Sequence, residues 1–196
     1  MRGLVLAAIA AFGLAASGCQ RDNDAEQPPT VRRSTIVEPE VRGVDVVPQE
    51  EPAVARQQWR AASDTARTVL GNLRVSLLGP RGGPIVFAFA NGVTIQAQPY
   101  AEVPANSRSG VGGQSYAAVL GGDPRVNVWL YRVQGENVTA SAAQGGLCGA
   151  ERARYLAVSE FVDASGRWVF KVAAFRGDGQ PGQDPTLCNT YAYTAQ

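Results

Sequence analysis

The chain has no histidine, and this absence excludes several kinds of site at once. None of its 196 residues is His, and among its 18 basic side chains Lys171 is the only lysine. Histidine is the side chain that titrates near neutral pH and the commonest metal ligand. The sequence therefore excludes Ser-His-Asp and Cys-His catalysis and zinc sites built on histidine.

An excess of charge of either sign is also missing. The chain carries 18 basic and 17 acidic side chains, a formal net charge of +1. A nucleic-acid-binding domain usually shows a strong basic excess, clustered on one face or along one helix. We therefore expect no nucleic-acid partner.

The sequence has few arrangements that could carry out catalysis. There is no Gly-x-Ser-x-Gly and no Ser-x-x-Lys pattern, so an activated serine is not indicated. A pair of carboxylates is the arrangement that the composition still permits. The candidates stand at predicted turns or strand ends, where solvated acids are common: Glu151, Glu160, Asp163, Asp178 and Asp184. We predict that the protein is not an enzyme, with a carboxylate-dependent enzyme acting on glycan or lipid as an alternative.

The first 18 residues have the organisation of a secretory signal peptide. Arg2 precedes an apolar run over residues 3–16, and the small residues Ser17 and Gly18 follow. The run is shorter than the roughly 20 residues that a transmembrane helix needs. A short apolar run with a small-residue exit is typical of a cleavable signal.

The residues at the end of this segment carry a resemblance to a known family. Ala16-Ser17-Gly18-Cys19 resembles the lipobox of bacterial lipoproteins. The resemblance implies that Cys19 is acylated and becomes the first residue of the mature protein. With Gln20 next to the cysteine, it implies the periplasmic leaflet of the outer membrane. The alternative is an ordinary signal peptide, in which Cys19 is an incidental thiol.

Two segments precede the main domain. Residues 19–52 are polar, contain five prolines and have no aromatic residue, so we predict a disordered, lipid-anchored tether. In residues 53–70 the apolar positions, which include Trp59, recur at spacings of three and four, which predicts an amphipathic helix. We expect Trp59 to pack on the domain; the alternative is a helix that binds a partner.

Residues 71–196 show the pattern of a mainly β domain. Short apolar runs alternate with turn residues about every ten positions, which is typical of an antiparallel β-barrel or β-sandwich. The eight main runs are 73–78, 85–90, 93–98, 116–120, 125–133, 154–161, 168–175 and 187–194. The dipeptide Asn91-Gly92 predicts a tight hairpin with a type I′ turn.

Two cysteines remain in this domain once Cys19 is assigned to the lipid. In an oxidising periplasm Cys148 and Cys188 have one possible pairing, so we predict a disulfide. It would close a loop of about 40 residues and stabilise the fold by roughly 3–4 kcal/mol. The alternative is a pair of free thiols.

Two loops are candidates for binding. Residues 100–114 form the longest irregular stretch of the domain, and Arg108 and Ser109 are our candidate binding residues there. Arg108 would pair with a carboxylate or phosphate; the alternative is a loop tip without a ligand. Residues 176–184 offer oxygen atoms for Ca²⁺ but lack the spacing of a calcium loop, so we predict neither a metal site nor a cofactor.

Together these features predict a non-enzymatic protein of the bacterial cell envelope. We expect a membrane contact through the lipid anchor and a periplasmic β domain that binds a protein or another envelope component, such as glycan. In outline, such a domain resembles the membrane-bound periplasmic lysozyme inhibitors, which would imply an inhibitor-like role. The alternative is a structural accessory of an outer-membrane assembly, with Trp59 on its contact helix.

Overall fold

The protein folds as a closed barrel of eight antiparallel strands that follow one another in chain order. The computed structural model describes residue 54 and residues 58–195. The strands are β1 Gln58–Ala61, β2 Leu73–Leu77, β3 Ile85–Phe89, β4 Val93–Val103, β5 Val128–Val138, β6 Tyr155–Val162, β7 Trp168–Arg176 and β8 Thr186–Ala195. The predicted mainly β fold is confirmed, and of the two predicted architectures the barrel is the one observed.

Seven of the eight runs predicted as strands are strands, and the eighth is a helix. Residues 116–120 form the short helix α1, Tyr116–Leu120. Ser115 is in extended conformation and its side chain accepts a hydrogen bond from the amide of Ala118, while Gly121 ends the helix at φ 60°. These two caps satisfy the free ends of the helix. The prediction of a strand here was wrong because it weighed only the apolar run.

Of the helix predicted over residues 53–70, the described part is a strand at residues 58–61 and helical only near its end. Residues 58–61 form β1, which pairs with β2 and β8 and so closes the barrel. A short π-helical turn, Ala66–Leu70, follows. Trp59 lies inside the barrel and is 0% exposed, because alternate residues of β1 face inward. Barrel closure, which no local pattern reports, overrides the helical spacing.

The remaining N-terminal predictions lie outside the described residues. These are the signal peptide over residues 1–18, the acylated Cys19 and the tether over residues 19–52. Neither helix of the described part of the chain is long and apolar enough to cross a bilayer.

Inward-facing aromatic side chains fill much of the barrel. The rings of Trp59 and Phe170 lie 5.2 Å apart, and those of Phe87 and Tyr131 meet edge to face at 5.7 Å. An eight-stranded barrel is just wide enough for side chains to fill its interior. The inward side chains therefore build the main core of the domain.

A second apolar cluster lies outside the barrel. Residues 104–127 connect β4 to β5 and carry α1 against the outer face of the neighbouring strands. Tyr116 and Leu120 of this connection belong to one buried cluster with Ala157 of β6 and Phe175 of β7. Both faces of these strands are therefore buried, which explains their nearly continuous apolar sequence.

The connection between β5 and β6 is held near one end of the barrel. The hydroxyl of Tyr191 donates to the carbonyl of Leu147 at 2.7 Å, and Glu136 accepts from the amides of Leu147 and Ala153. Cys148 in the same connection is joined to Cys188 of β8, with 5.1 Å between their Cα atoms. The predicted disulfide is confirmed.

The hairpin predicted at Asn91-Gly92 is present, with a different turn. Three residues separate β3 from β4, and the amide of Gly92 donates to the carbonyl of Phe89 at 3.0 Å. Gly92 has φ 93°, which a glycine adopts without strain. The loop is thus one residue longer than a type I′ hairpin.

Candidate binding site

An open groove lies on the outer face of the barrel, beside the end of α1. It consists of two adjoining depressions of about 610 and 400 Å³, which share Gly121, Phe161 and Asp163. The first is bounded by the segment after α1 and by the turn between β6 and β7. The second extends over β7 and β8 toward Ser63. The groove exists because the helical cover ends at Gly121.

The floor of the groove is formed by outward-facing residues of β6, β7 and β8. Phe161 pairs with Val169, and two positions along the strands Ser159 pairs with Lys171. Lys171 is in turn opposite Ala192. These residues alternate with side chains that face the interior of the barrel. Regular strands thus fix the positions of the floor side chains.

Lys171 supplies to the groove a positive charge that has no ion-pair partner among the described residues. Its Nζ lies 3.9 Å from the place that a Cβ at residue 121 would occupy, so the ammonium group is beside the end of α1. Within the described part of the chain no carboxylate forms an ion pair with it. A cation is favoured at the C-terminal end of a helix. The ammonium group nevertheless keeps its capacity to donate hydrogen bonds to a ligand.

The two aspartates of the groove are each neutralised by an arginine of the same turn. Asp123 accepts from Arg125 Nε at 3.0 Å and Nη2 at 2.6 Å, and these bonds lower the pKa of Asp123 to about 2. Asp163 accepts from Arg167 Nε at 3.2 Å and Nη2 at 3.0 Å. Hydrogen bonds from Ser165 and Arg167 hold the pKa of Asp163 below its usual range. Both carboxylates are therefore ionised and engaged within their own turns.

A buried hydroxyl lies at the same end of the groove as Lys171. Ser159 is 1% exposed, and its Oγ has no hydrogen-bond partner among the described residues. The Oγ lies 3.7 Å from the place of a Cβ at Gly122, so the segment after α1 covers it. Buried polar atoms in native proteins are nearly always paired. Ser159 therefore lies beneath this segment, next to the groove, and does not line it.

The binding residues predicted from the sequence do not line this groove. Ser109 is 0% exposed; its Oγ donates to the carbonyl of Gln114 at 2.8 Å and accepts from the amide of Val111 at 3.1 Å. The side chain of Ser109 is therefore buried and engaged within its own loop. Arg108 is exposed on the same loop. Trp59, buried in the barrel, cannot be a contact for a partner.

The carboxylates considered as a catalytic pair lie at different ends and faces of the barrel. Glu151 pairs with Arg176, and Asp178 pairs with Arg154 at 3.4 Å. These two acids, like the exposed Asp184, lie before β6 or after β7, at the end opposite Asp163. Among the described residues no three Cys, Asp or Glu side chains come together as metal ligands.

Glu160 differs from the other acids because it faces the interior of the barrel. Its two carboxyl oxygens are buried without a hydrogen-bond partner of normal geometry among the described residues. Burial raises the pKa of Glu160 to about 7, although the backbone amide of Val54 acts in the opposite direction. Its neighbour across the strand pair is Phe170, so its surroundings are mainly apolar.

One residue of the groove, Lys171, was already conspicuous in the sequence. Lys171 interrupts an apolar strand and is the one lysine of the chain, but its significance depends on what covers that face. Comparison with protein-family models, curated protein sequences and solved structures finds no match for this chain.

Proposed function

We propose that this chain is a non-enzymatic protein of the bacterial cell envelope. A lipid on Cys19 would anchor it in the periplasmic leaflet of the outer membrane, and the barrel would bind a protein or another envelope component. The lipobox-like sequence before Cys19 supports the anchor. The disulfide between Cys148 and Cys188 supports an oxidising compartment.

The groove is the observation that supports binding. Its floor lies on strands paired on both sides, so its shape is largely formed in advance. Its aspartates are held in ion pairs with depressed pKa values, whereas proton transfer near neutral pH requires a pKa close to 7. The charge of the groove that no described residue pairs is the ammonium group of Lys171. This arrangement favours recognition of a ligand over acid–base chemistry.

The other functions considered from the sequence have less support. The role of a structural accessory relied on Trp59 as the contact with the assembly. Trp59 is inside the barrel and cannot make that contact. An enzyme with two carboxylates would need both acids to face one substrate. Glu160 faces inward and Asp163 belongs to an outer turn.

The anchor is tested by acylation of the full chain in a bacterial host. We expect the wild-type chain to incorporate a labelled fatty acid and to sediment with the outer membrane, because acylation at Cys19 holds it there. Cys19→Ser should abolish the label, and Cys148→Ser/Cys188→Ser should retain it. Incorporation of label by the Cys19→Ser chain would contradict the anchor.

The binding surface is tested by photocrosslinking in the native envelope. A photoreactive residue at Ala164, which lines the groove, should give a discrete adduct. The same residue at Gly82, in the exposed turn between β2 and β3, is the matched control. Lys171→Gln should weaken the adduct from position 164. Equal adducts from positions 82 and 164, or none from 164, would refute binding at the groove.

A further inference from the structure

The charges that line the groove do not cancel. Three cations (Arg125, Arg167 and Lys171) and two anions (Asp123 and Asp163) lie along it. Each aspartate is paired with an arginine of its own turn, so among the described residues one positive charge, on Lys171, is left without an ion-pair partner. A ligand that complements this site carries an anionic group opposite that ammonium.

The groove is apolar next to this charge. Phe161 and Val169 form a pair on the outer face, two positions along the strands from Ser159 and Lys171. Two residues of a strand span roughly 6.7 Å. Ala192 and Thr194 of β8 continue the floor on the far side. A ligand seated on Lys171 therefore has apolar side chains to contact within a short distance of its anionic group.

The backbone around the groove offers little to an extended peptide. In the closed barrel, β7 is paired with β6 on one side and with β8 on the other, so there is no free edge for an added strand. The amides of Gly121 and Gly122 already donate to carbonyls of α1. Recognition therefore depends on one charge and on apolar contact.

We propose that the groove binds an anionic amphiphile, whose phosphate or carboxylate pairs with Lys171 while its apolar chain lies over Phe161 and Val169. This proposal depends on the proposed function, because it names the ligand class of the same groove.

The single lysine makes this proposal directly measurable. Reductive methylation with ¹³C-formaldehyde keeps the positive charge of Lys171 and gives one lysine side-chain NMR signal in the full chain, held in neutral detergent. The probes are octyl phosphate, octanoate, inorganic phosphate and octyl glucoside. We expect saturable shifts with octyl phosphate and octanoate, binding of inorganic phosphate at least about tenfold weaker, and no shift with octyl glucoside.

Variants separate the headgroup contact from the chain contact, with affinities measured by calorimetry. Lys171→Gln should weaken octyl phosphate binding by about tenfold or more, and Lys171→Arg should retain it within a few-fold. Phe161→Ser should weaken octyl phosphate binding but leave that of inorganic phosphate unchanged. Arg74→Gln is the matched control, because it removes an exposed charge from β2, which is separated from β7 by β8 and β1. Thermal unfolding of each variant shows whether the fold is retained.

Several outcomes would overturn the proposal. Equal affinity for inorganic phosphate and octyl phosphate would show that the protein does not recognise the octyl group of the ligand. If octyl glucoside binds as tightly as octyl phosphate, the protein does not recognise the anionic group of the ligand. An unchanged affinity in a folded Lys171→Gln protein would place the ligand elsewhere. If all probes fail while position 164 still crosslinks to an envelope component, the ligand class is wrong and the proposed function stands.

Discussion

The outer face of β6 and β7 has two halves that differ in their cover. The covered half contains Ala157, Ala173 and Phe175, and it is buried under the connection that carries α1. The open half contains Ser159, Phe161, Val169 and Lys171, which adjoin or line the groove. The two halves lie on the same strands and follow the same alternation. They diverge where α1 ends, at Gly121.

The difference shows that an apolar outer face is not by itself a docking surface. In the covered half the chain supplies its own partner, because Tyr116 and Leu120 complete the cluster. In the open half the apolar residues stand beside a charge that the described chain does not neutralise. The covered half therefore contributes to the stability of the fold, and the open half is available for a ligand.

Replacing one phenylalanine in each half tests whether the two halves contribute differently to stability. Phe175 is 0% exposed, so Phe175→Ala should lower the free energy of unfolding by about 3–5 kcal/mol. Phe161 is only partly buried, and Phe161→Ala should cost about 1 kcal/mol. Urea unfolding followed by circular dichroism measures both. Equal losses would mean that the open half is as much a part of the core as the covered half.

The disulfide gives a second large effect that should leave the groove intact. Cys148→Ser/Cys188→Ser should lower the free energy of unfolding by roughly 3–4 kcal/mol, because the unfolded chain regains the freedom of the closed loop. Cys188 lies near the start of β8, whereas Ala192 and Thr194 of the groove lie near its end. Octyl phosphate binding to the folded variant should therefore be unchanged. A parallel loss of binding and stability would contradict the independence of the groove from the disulfide.

Glu160 lies on the inward side of β6, opposite the open half. Its buried carboxyl group should make the stability of the fold depend on pH. Its pKa is raised to about 7 from 4.5, so between these values the folded protein binds a proton that the unfolded chain has released. The Glu160 contribution to stability is therefore greatest at low pH and is lost as pH rises toward 7. Glu160→Gln should be more stable than wild type at about pH 8, and the difference should shrink by about pH 5.

Unfolding free energies of wild type and variant at the two pH values measure this effect. The depressed pKa of Asp123, about 2, places its own transition outside the window. Parallel profiles for wild type and Glu160→Gln would show that the carboxyl is ionised at all these pH values. The raised pKa would then be wrong.

The features of the fold that depend on neighbouring residues could be predicted from the sequence. Alternation with period two and turn residues between runs identified seven strands, because both are properties of neighbouring residues. β1 was missed because its four residues, including Trp59, also fit a helical spacing. Its pairing with Tyr193 and Ala195 of β8, more than 130 residues away, decides its structure.

The groove was not predictable, because it depends on where the long connection after β4 lies. Lys171 was visible as a lone charge, but only the end of the cover at Gly121 makes it part of a groove. Ser109, chosen for its place in a long loop, is used by that loop itself. Two local features of the cover were nevertheless present in the sequence: Ser115 before an apolar run and Gly121 after it.

The smallest predicted effect tests whether these caps set the boundary between the two halves. Ser115 Oγ accepts from the amide of Ala118 at 3.3 Å, so Ser115→Ala should lower the free energy of unfolding by about 1 kcal/mol. Ser115→Asp keeps an acceptor and should retain most of the stability. If both variants match wild type in urea unfolding, the position of α1 is set by the burial of Tyr116 and Leu120 rather than by its cap. The boundary at Gly121 would then follow from packing, a nonlocal property that a sequence pattern does not report.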